Sequence, residues 1–137
     1  MFKLWGTQKN ETTVENNSIT EEPSMPIQSY TETSNYFDSF ETKREQVWDF
    51  LNTLNEDKKH AEEVRELALH FFDAFTSYHE YGEKERFLLE CAAILHDIGH
   101  AISNKKHHKQ SLMLILQGDL ESFTPREKKL IANIARY

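Results

Sequence analysis

The sequence predicts an all-α fold, a bundle of about five helices that follows an N-terminal tail. Three observations lead to this prediction. Apolar residues recur at helical spacing in several separate segments between residues 38 and 137. Helix-capping and helix-ending residues stand between these segments, and the clearest example is the stretch from Thr124 to Glu127. Residues 1–37 are rich in Asn, Thr, Glu, Ser and Pro, and their few apolar residues follow no helical or strand period.

The first 37 residues are expected to form a flexible acidic tail, because they cannot bury enough apolar surface to offset the entropy lost on ordering. Phe2, Leu4 and Trp5 could anchor the tail weakly, but such a cluster is more often simply a loose terminus. The helical domain should then occupy residues 38–137, a length that suits one domain of ordinary size.

The first two predicted helices are amphipathic. The first runs from about Phe40 to Leu54, and its apolar face looks suited to packing and no more. Asn55 or Asp57 is a candidate N-cap for the second helix, which runs from about Lys58 to Tyr78. The inward face of the second helix should carry Val64, Leu67, Ala68, Phe71, Phe72 and Phe75.

One histidine of the second helix falls on this apolar face. A step of four residues back from Val64 reaches His60, so His60 should point towards the core from the first turn. A histidine in that position is either a hydrogen-bonded core residue or a metal ligand, and the helix alone does not decide between the two. His70 and His79 lie off the face or at its end and should be solvated.

The stretch from Leu88 to His100 is the most apolar of the chain and should form the central helix. Charged residues 83–86 precede it, and neither Pro nor Gly interrupts it before Gly99, so we expect burial on nearly all sides. Gly99 should be the C′ residue that ends the helix. Cys91 lies inside the run and should be an inert core residue. As the single cysteine of the chain, it excludes an internal disulfide.

This helix ends in an ionisable pair, His96 and Asp97. Burying both side chains costs free energy unless they are paired or bound to an ion. A metal would satisfy the pair, and the negative end of the helix dipole favours a cation there. Imidazole and carboxylate ligands suit Mn, Fe, Zn or Mg. The alternative is a capped helix end, with Asp97 bonded to nearby backbone and His96 a satisfied core histidine.

Caps predict the last two helices. Ser103 and Asn104 should cap a helix from about Lys105 to Gln117, whose first turn holds His107 and His108. We expect only one of these two histidines to face inward.

The final helix has the clearest start signal of the chain. Thr124 should be its N-cap, Pro125 its first residue and Glu127 the partner in a capping box. This helix continues to Tyr137.

Charge and composition exclude several classes of protein. A net charge of -7 argues against a nucleic acid duplex as the partner, because backbone phosphates attract clusters of Lys and Arg, and the only basic run spans residues 105–109. No stretch is long and apolar enough to span a bilayer, and the first five residues are too few for the apolar part of a signal peptide. We therefore expect a cytoplasmic protein without membrane contact.

Together, the motifs resemble the HD superfamily of metal-dependent phosphohydrolases, whose pattern is a His, then a His-Asp pair, then a later Asp. More closely, the chain from His60 to Tyr137 is similar to the C-terminal HD-like domain of the exopolyphosphatase/guanosine pentaphosphatase family. The segments that carry the resemblance are residues 60–64, 67–69, 72–73, 93–99, 102–103, 107–111 and 130–137.

The resemblance implies a metal-dependent phosphohydrolase that acts on a phosphate ester or anhydride, with a nucleotide or polyphosphate as substrate. It implies His60, His96 and Asp97 as ligands of a divalent metal. It also makes His107 the better candidate of its pair for a second metal or a phosphate contact. We assign the catalytic role to His107 and Asp97.

A basic helix start beside His107 is a candidate phosphate contact. Lys105, Lys109 and His108 could attract the substrate phosphate, or could be no more than a solvated face.

The sequence also departs from the family pattern. The upstream actin-like domains, to which the family's polyphosphate chemistry belongs, and the later Asp of the HD pattern have no counterpart in these 137 residues. We therefore expect a C-terminally incomplete domain with an open three-ligand site, and a second function stays open: a non-catalytic helical module that dimerises or binds a phosphorylated ligand. An exposed apolar face favours a homodimer or a swapped assembly.

Overall fold

The computed structural model describes residues 28–137, with side chains described from residue 39 onward; most of the predicted tail therefore lies outside the described residues. Five α-helices and one short 3-10 helix make up this part of the chain, which contains no strand. The predicted all-α fold of about five helices is confirmed. The elements are α1 (Gln28–Thr53), α2 (Lys58–Ala74), α3 (Glu83–Ile94), the 3-10 helix (Ile98–Ala101), α4 (His107–Gln117) and α5 (Pro125–Arg136).

Helix α1 is longer than the sequence pattern predicts. The predicted helix starts near Phe40, whereas α1 begins at Gln28. Residues 28–39 are mostly polar and carry no apolar period, so periodicity did not indicate a helix there. Once a helix is nucleated, each further residue adds a backbone hydrogen bond, and an apolar stripe is not needed for such an extension.

Helix α3 lies at the centre of the core, as predicted. Seven of its twelve residues are buried. Val47 and Leu51 of α1, Ile115 of α4 and Ile131 of α5 belong to the same core, and none of the four is more than 2% exposed. Cys91 is also fully buried, and burial raises the pKa of its thiol, which keeps the sulfur protonated.

A buried ion-pair network fastens α3 to its neighbours. Glu90 is 2% exposed; its Oε1 accepts hydrogen bonds from Nε of Arg44 in α1 at 2.9 Å and from Nε of Arg65 in α2 at 2.8 Å. Burial alone would raise the pKa of Glu90, but the two guanidinium groups outweigh it and hold this pKa below its ordinary value. The apolar pattern of the sequence did not indicate this network.

The predicted inward face of α2 is partly wrong. Leu67, Phe71 and Phe75 are each more than half exposed, whereas the buried residues of the helix are Ala61 and Leu69. Helix α2 packs on α3, and the direction of that contact determines which side of a broadly apolar helix is covered. The helix also ends at Ala74, before the predicted Tyr78.

The predicted caps are confirmed at two helices and wrong at a third. The Asp57 side chain accepts the backbone N–H of His60 at 3.1 Å. Thr124 and Glu127 form the predicted capping box. Helix α4 instead starts after Lys106, which adopts the left-handed conformation with φ of 63°, so Ser103 and Asn104 do not cap it. Across the described residues, no helix combines the length and apolarity needed to cross a bilayer.

Candidate metal centre

The turn after α3 carries the predicted His-Asp pair. Helix α3 ends at Ile94, so His96 and Asp97 lie between it and the 3-10 helix. Gly99 belongs to that 3-10 helix and is not a left-handed C′ residue, which corrects the prediction. Its role is steric, because a Cβ there would lie 1.9 Å from the carbonyl oxygen of His107. The missing side chain therefore lets the 3-10 helix contact α4 directly.

A buried serine fixes the same contact. The hydroxyl of Ser111 in α4 donates a hydrogen bond to the His96 carbonyl at 2.8 Å and accepts one from the Gly99 N–H at 2.9 Å. Ser111 is completely buried. Both ends of the His-Asp turn are thus held against the first turns of α4, where His107 lies.

Four imidazoles surround the carboxylate of Asp97. Its Oδ2 lies 3.3 Å from Nε2 of His60 and 3.1 Å from Nε2 of His96. Its Oδ1 lies 3.8 Å from Nε2 of His100 and 3.8 Å from Nε2 of His107. We name the set of His60, His96 and Asp97 the first group, and the set of Asp97, His100 and His107 the second group. The donor atoms within each group all lie within 4.8 Å of one another.

Hydrogen bonding orients the imidazole of His96. Its Nδ1 lies 2.8 Å from the carbonyl oxygen of Ala93, and a carbonyl can only accept, so Nδ1 carries the hydrogen. In the neutral ring the lone pair is then on Nε2, which faces Oδ2 of Asp97. Two acceptors at 3.1 Å repel each other unless a positive charge lies close to both. Metal-binding histidines usually donate the N–H of their other ring nitrogen to a partner such as a backbone carbonyl, and Nδ1 of His96 has such a partner.

The spacing of the first group fits a shared cation. Ligand atoms about 2.1 Å from one ion, at angles between octahedral and tetrahedral, lie roughly 3.0–3.4 Å apart. The separations of 3.3 Å and 3.1 Å from Oδ2 to the two imidazole nitrogens fall in this range. The nitrogen and oxygen donors suit a divalent transition metal or Mg. The second group is looser, with its 3.8 Å separations, although the rings of His100 and His107 stack with centroids 4.0 Å apart.

Two cavities open beside the centre. The larger, which we call the groove, has a volume of about 620 Å³ and is lined by residues of α2, α3, α4 and α5 together with His96 and Asp97. The smaller, of about 210 Å³, lies beside His60 and His100. His96 and Asp97 line both cavities, so the centre can be reached from two directions.

A match to a model of a known protein family identifies the family of the chain. Residues 43–137, which include all of the centre, match the family described as Ppx/GppA phosphatase, domain III. The chain belongs to this family. The predicted relationship to exopolyphosphatase and guanosine pentaphosphatase is thereby confirmed at the level of the family.

Two curated relatives of this domain III chain are similar in sequence. A protein of Aeromonas hydrophila subsp. hydrophila named guanosine-5'-triphosphate,3'-diphosphate pyrophosphatase is 37% identical over 86 residues, which cover 60% of this chain and 17% of the relative. A protein of the same name from Aeromonas salmonicida is 39% identical over 80 residues, which cover 56% of this chain and 16% of the relative. The match thus spans only about a sixth of each relative.

The domain III structure brings together four of the residues singled out in the sequence: His60, His96, Asp97 and His107. The ring centroids of His60 and His96 are 5.3 Å apart. His60 does not point into the core as expected. Its side chain is 47% exposed, and its Nε2 faces the carboxylate of Asp97 in the turn after α3. The metal and catalytic roles of these residues stay predictions.

The predicted phosphate contacts differ in whether they line the groove. His108 is half-buried and lines the groove, together with His107. Both members of this pair therefore face the groove, whereas only one of them was expected to face inward. Lys105 and Lys109 are exposed and line neither cavity beside the centre.

Three residues of the site received no role from the sequence. His100 follows Asp97 by three residues, a spacing that places both on one side of a 3-10 helix and could have indicated it. Arg136 lines the groove, and its guanidinium lies over the ring of Tyr137 at 5.3 Å. Ser111 gave no local signal, because its two hydrogen bonds reach back 12 and 15 residues.

Proposed function

We propose that the chain is a cytoplasmic, HD-type, metal-dependent phosphohydrolase-like domain that acts on a phosphate ester or anhydride. The observation that carries the proposal is the position of the His60 and His96 Nε2 atoms, at 3.3 Å and 3.1 Å from one oxygen of Asp97. Those side chains come from two separate parts of the chain, so the cluster depends on the fold. Membership of the Ppx/GppA phosphatase family supports a phosphate substrate.

In this proposal His60, His96 and Asp97 hold one divalent cation, which is Mn, Mg, Fe or Zn. Such a cation lowers the pKa of water and polarises a phosphoryl oxygen. The other oxygen of Asp97 lies 3.8 Å from Nε2 of His100 and of His107 and would attract either ring electrostatically when that ring is protonated. His107 lines the groove and contacts the phosphate there, where a charge-assisted hydrogen bond steadies developing negative charge.

The substrate is a phosphorylated small molecule, a nucleotide or polyphosphate by family resemblance. The two Aeromonas relatives carry a name that specifies a guanosine triphosphate-diphosphate. His108 lies in the groove and is the best placed of the three predicted phosphate contacts. Lys105 and Lys109 are exposed on the nearby surface and act at longer range, by attracting the anion.

Replacing His96 tests this function. We expect the wild-type chain, purified without chelator, to bind about one equivalent of Mn²⁺ and to hydrolyse a generic phosphodiester or pyrophosphate. His96→Ala should weaken Mn²⁺ binding by more than about 100-fold, since even the loss of an outer partner of a ligand commonly costs 10–100-fold. Titration calorimetry and phosphate release measure the two effects. The matched control is His70→Ala, because His70 is an exposed histidine of α2 outside both groups.

A wild-type chain with less than about a tenth of an equivalent of bound metal and no turnover would contradict the proposal. Equal loss of metal in the His70→Ala control would show that the His96 effect is not specific to the centre.

The exposed face of α2 favours a second candidate function, a non-catalytic helical module that forms a homodimer. Leu67, Phe71 and Phe75 are 57%, 53% and 51% exposed, and Tyr78 beyond the helix end is 84% exposed. Large apolar side chains grouped in this way are typical of protein interfaces. Light scattering on the wild type and the same two variants separates the candidates. If all three proteins are dimers without activity or bound metal, the module is favoured. A wild-type chain that is a monomer at tens of micromolar would contradict the module.

A further inference from the structure

The groove beside Asp97 has an unusual charge for this chain. Although the protein carries 23 acidic residues, Asp97 is the one acidic side chain among the described residues that line the groove. Three histidines and one arginine share the lining: His96, His107, His108 and Arg136. The positive charges that an anion would meet there are the guanidinium of Arg136 and a cation held by the first group, in contrast to the acidic surface of the chain as a whole.

Arg136 is free to contact that anion. Among the described residues no carboxylate lies within ion-pair distance of its guanidinium, which contacts only the exposed ring of Tyr137. Arginine offers several N–H donors in one plane, a geometry that matches the oxygens of a phosphate.

Apart from Tyr137, the remaining wall of the groove is apolar. It is formed by seven side chains without polar atoms: Val64, Ala68, Leu89, Ala92, Ala93, Ile134 and Ala135. Five of them come from α2 and α3, and the other two from α5. A polyphosphate chain would need a cation at nearly every phosphate, and this wall offers none. An apolar organic group, by contrast, would gain free energy by leaving water there.

We propose that the groove binds a phosphate monoester whose organic group is apolar. The phosphate lies against the first and second groups and within reach of Arg136, and the organic group lies on the apolar wall. The volume of about 620 Å³ is within the usual range for small-molecule sites. This inference rests on the proposed function, because it needs the metal centre to hold the phosphate.

A matched pair of phosphonates tests the inference without relying on turnover. Methylphosphonate and benzylphosphonate carry the same anionic group and differ in the size of the apolar group. With Mn²⁺-saturated protein, we expect benzylphosphonate to bind at least about tenfold more tightly, a difference of about 1.4 kcal/mol. Titration calorimetry measures both affinities, and Mn²⁺ binding is measured on the same sample.

Two variants locate the apolar group. Ala68→Leu adds volume to the groove wall away from the centre, so it should abolish the preference for benzylphosphonate while Mn²⁺ and methylphosphonate still bind. Ala74→Leu is the matched control, because Ala74 is an exposed residue of the same helix that does not line the groove. It should keep the wild-type preference.

The outcomes separate this inference from the function on which it rests. Mn²⁺ binding with equal affinities for the two phosphonates overturns the inference alone. A preference that persists in Ala68→Leu overturns the assigned position of the organic group. Absence of Mn²⁺ binding overturns the proposed function and, with it, the inference.

Discussion

Gly99 lies where the 3-10 helix touches α4, and the absence of a side chain there sets the distance between them. A Cβ at this position would lie 2.6 Å from the backbone nitrogen of Ser111 as well as 1.9 Å from the His107 oxygen. Both atoms belong to helix backbone, which cannot move without repacking α4. The position of His107 relative to Asp97 therefore depends on a glycine that lines neither of the two cavities beside the centre.

Gly99→Ala should destabilise the fold and separate His107 from Asp97. We expect the free energy of unfolding to fall by at least about 2 kcal/mol, because overpacking against fixed backbone commonly costs 1–3 kcal/mol. Urea denaturation followed by circular dichroism measures the change. Gly82→Ala is the control: the nearest atom to its Cβ would be Glu85 Oε2 at 3.8 Å, so the loss should stay below about 1 kcal/mol. Equal losses in the two variants would disprove the steric role.

At the residue scale, the sequence predicted the members of the first group but not their surroundings. His60, His96 and Asp97 could be found because helical spacing and local motifs place them at helix ends. Ser111 and Arg136 could not, since their positions depend on contacts between elements far apart in the chain. Gly99 was recognised as important, but for a helix end and not for a close contact.

One buried carboxylate links both α1 and α2 to α3. Glu90 lies between Arg44 and Arg65, whose side chains are 28% and 27% exposed. A buried carboxylate with two guanidinium partners is satisfied, but the loss of its charge would leave both cations facing a neutral group in the interior. The network therefore orients α2, which carries His60, relative to the turn that carries Asp97.

Glu90→Gln should lower the free energy of unfolding by about 2–4 kcal/mol, because breaking a buried ion pair is costly. The pKa of Glu90 is lower in the folded state than its ordinary value of 4.5. The carboxylate therefore contributes stability above that value, and this contribution is lost as the pH falls from about 4.5 through the lower folded-state pKa. Urea titrations at several pH values should show that the free energy of unfolding falls less at acid pH in Glu90→Gln than in the wild type.

Glu63→Gln is the control for this network. Glu63 pairs with Lys59 at 3.9 Å on the surface, and both side chains are largely exposed, so little change is expected. An acid profile of Glu90→Gln that matches the wild type would contradict the role of Glu90.

At the element scale, caps were predicted better than helix faces. The capping box of α5 is a local pattern within four residues and needs no knowledge of the fold. The covered side of α2 depends on how α2 lies against α3, and a helix with apolar residues on several sides does not specify that. The predicted first helix is shorter than α1 because the first residues of α1 are polar.

At the scale of the whole molecule, an acidic chain concentrates four of its seven histidines around one aspartate. The sequence could predict the all-α fold and the convergence of helix ends, because five helical segments separated by caps allow few arrangements. It could not predict that one carboxylate would face two pairs of histidines, one pair on each oxygen. That arrangement results from the packing of α2, α3, the 3-10 helix and α4 as a unit.

The most direct test of the metal centre is anomalous diffraction from crystals grown with Mn²⁺. We expect a peak roughly 2.1 Å from Nε2 of His60, Nε2 of His96 and Oδ2 of Asp97. Crystals that contain Mn²⁺ but show no peak at these three atoms, or a peak only at other residues, would contradict it.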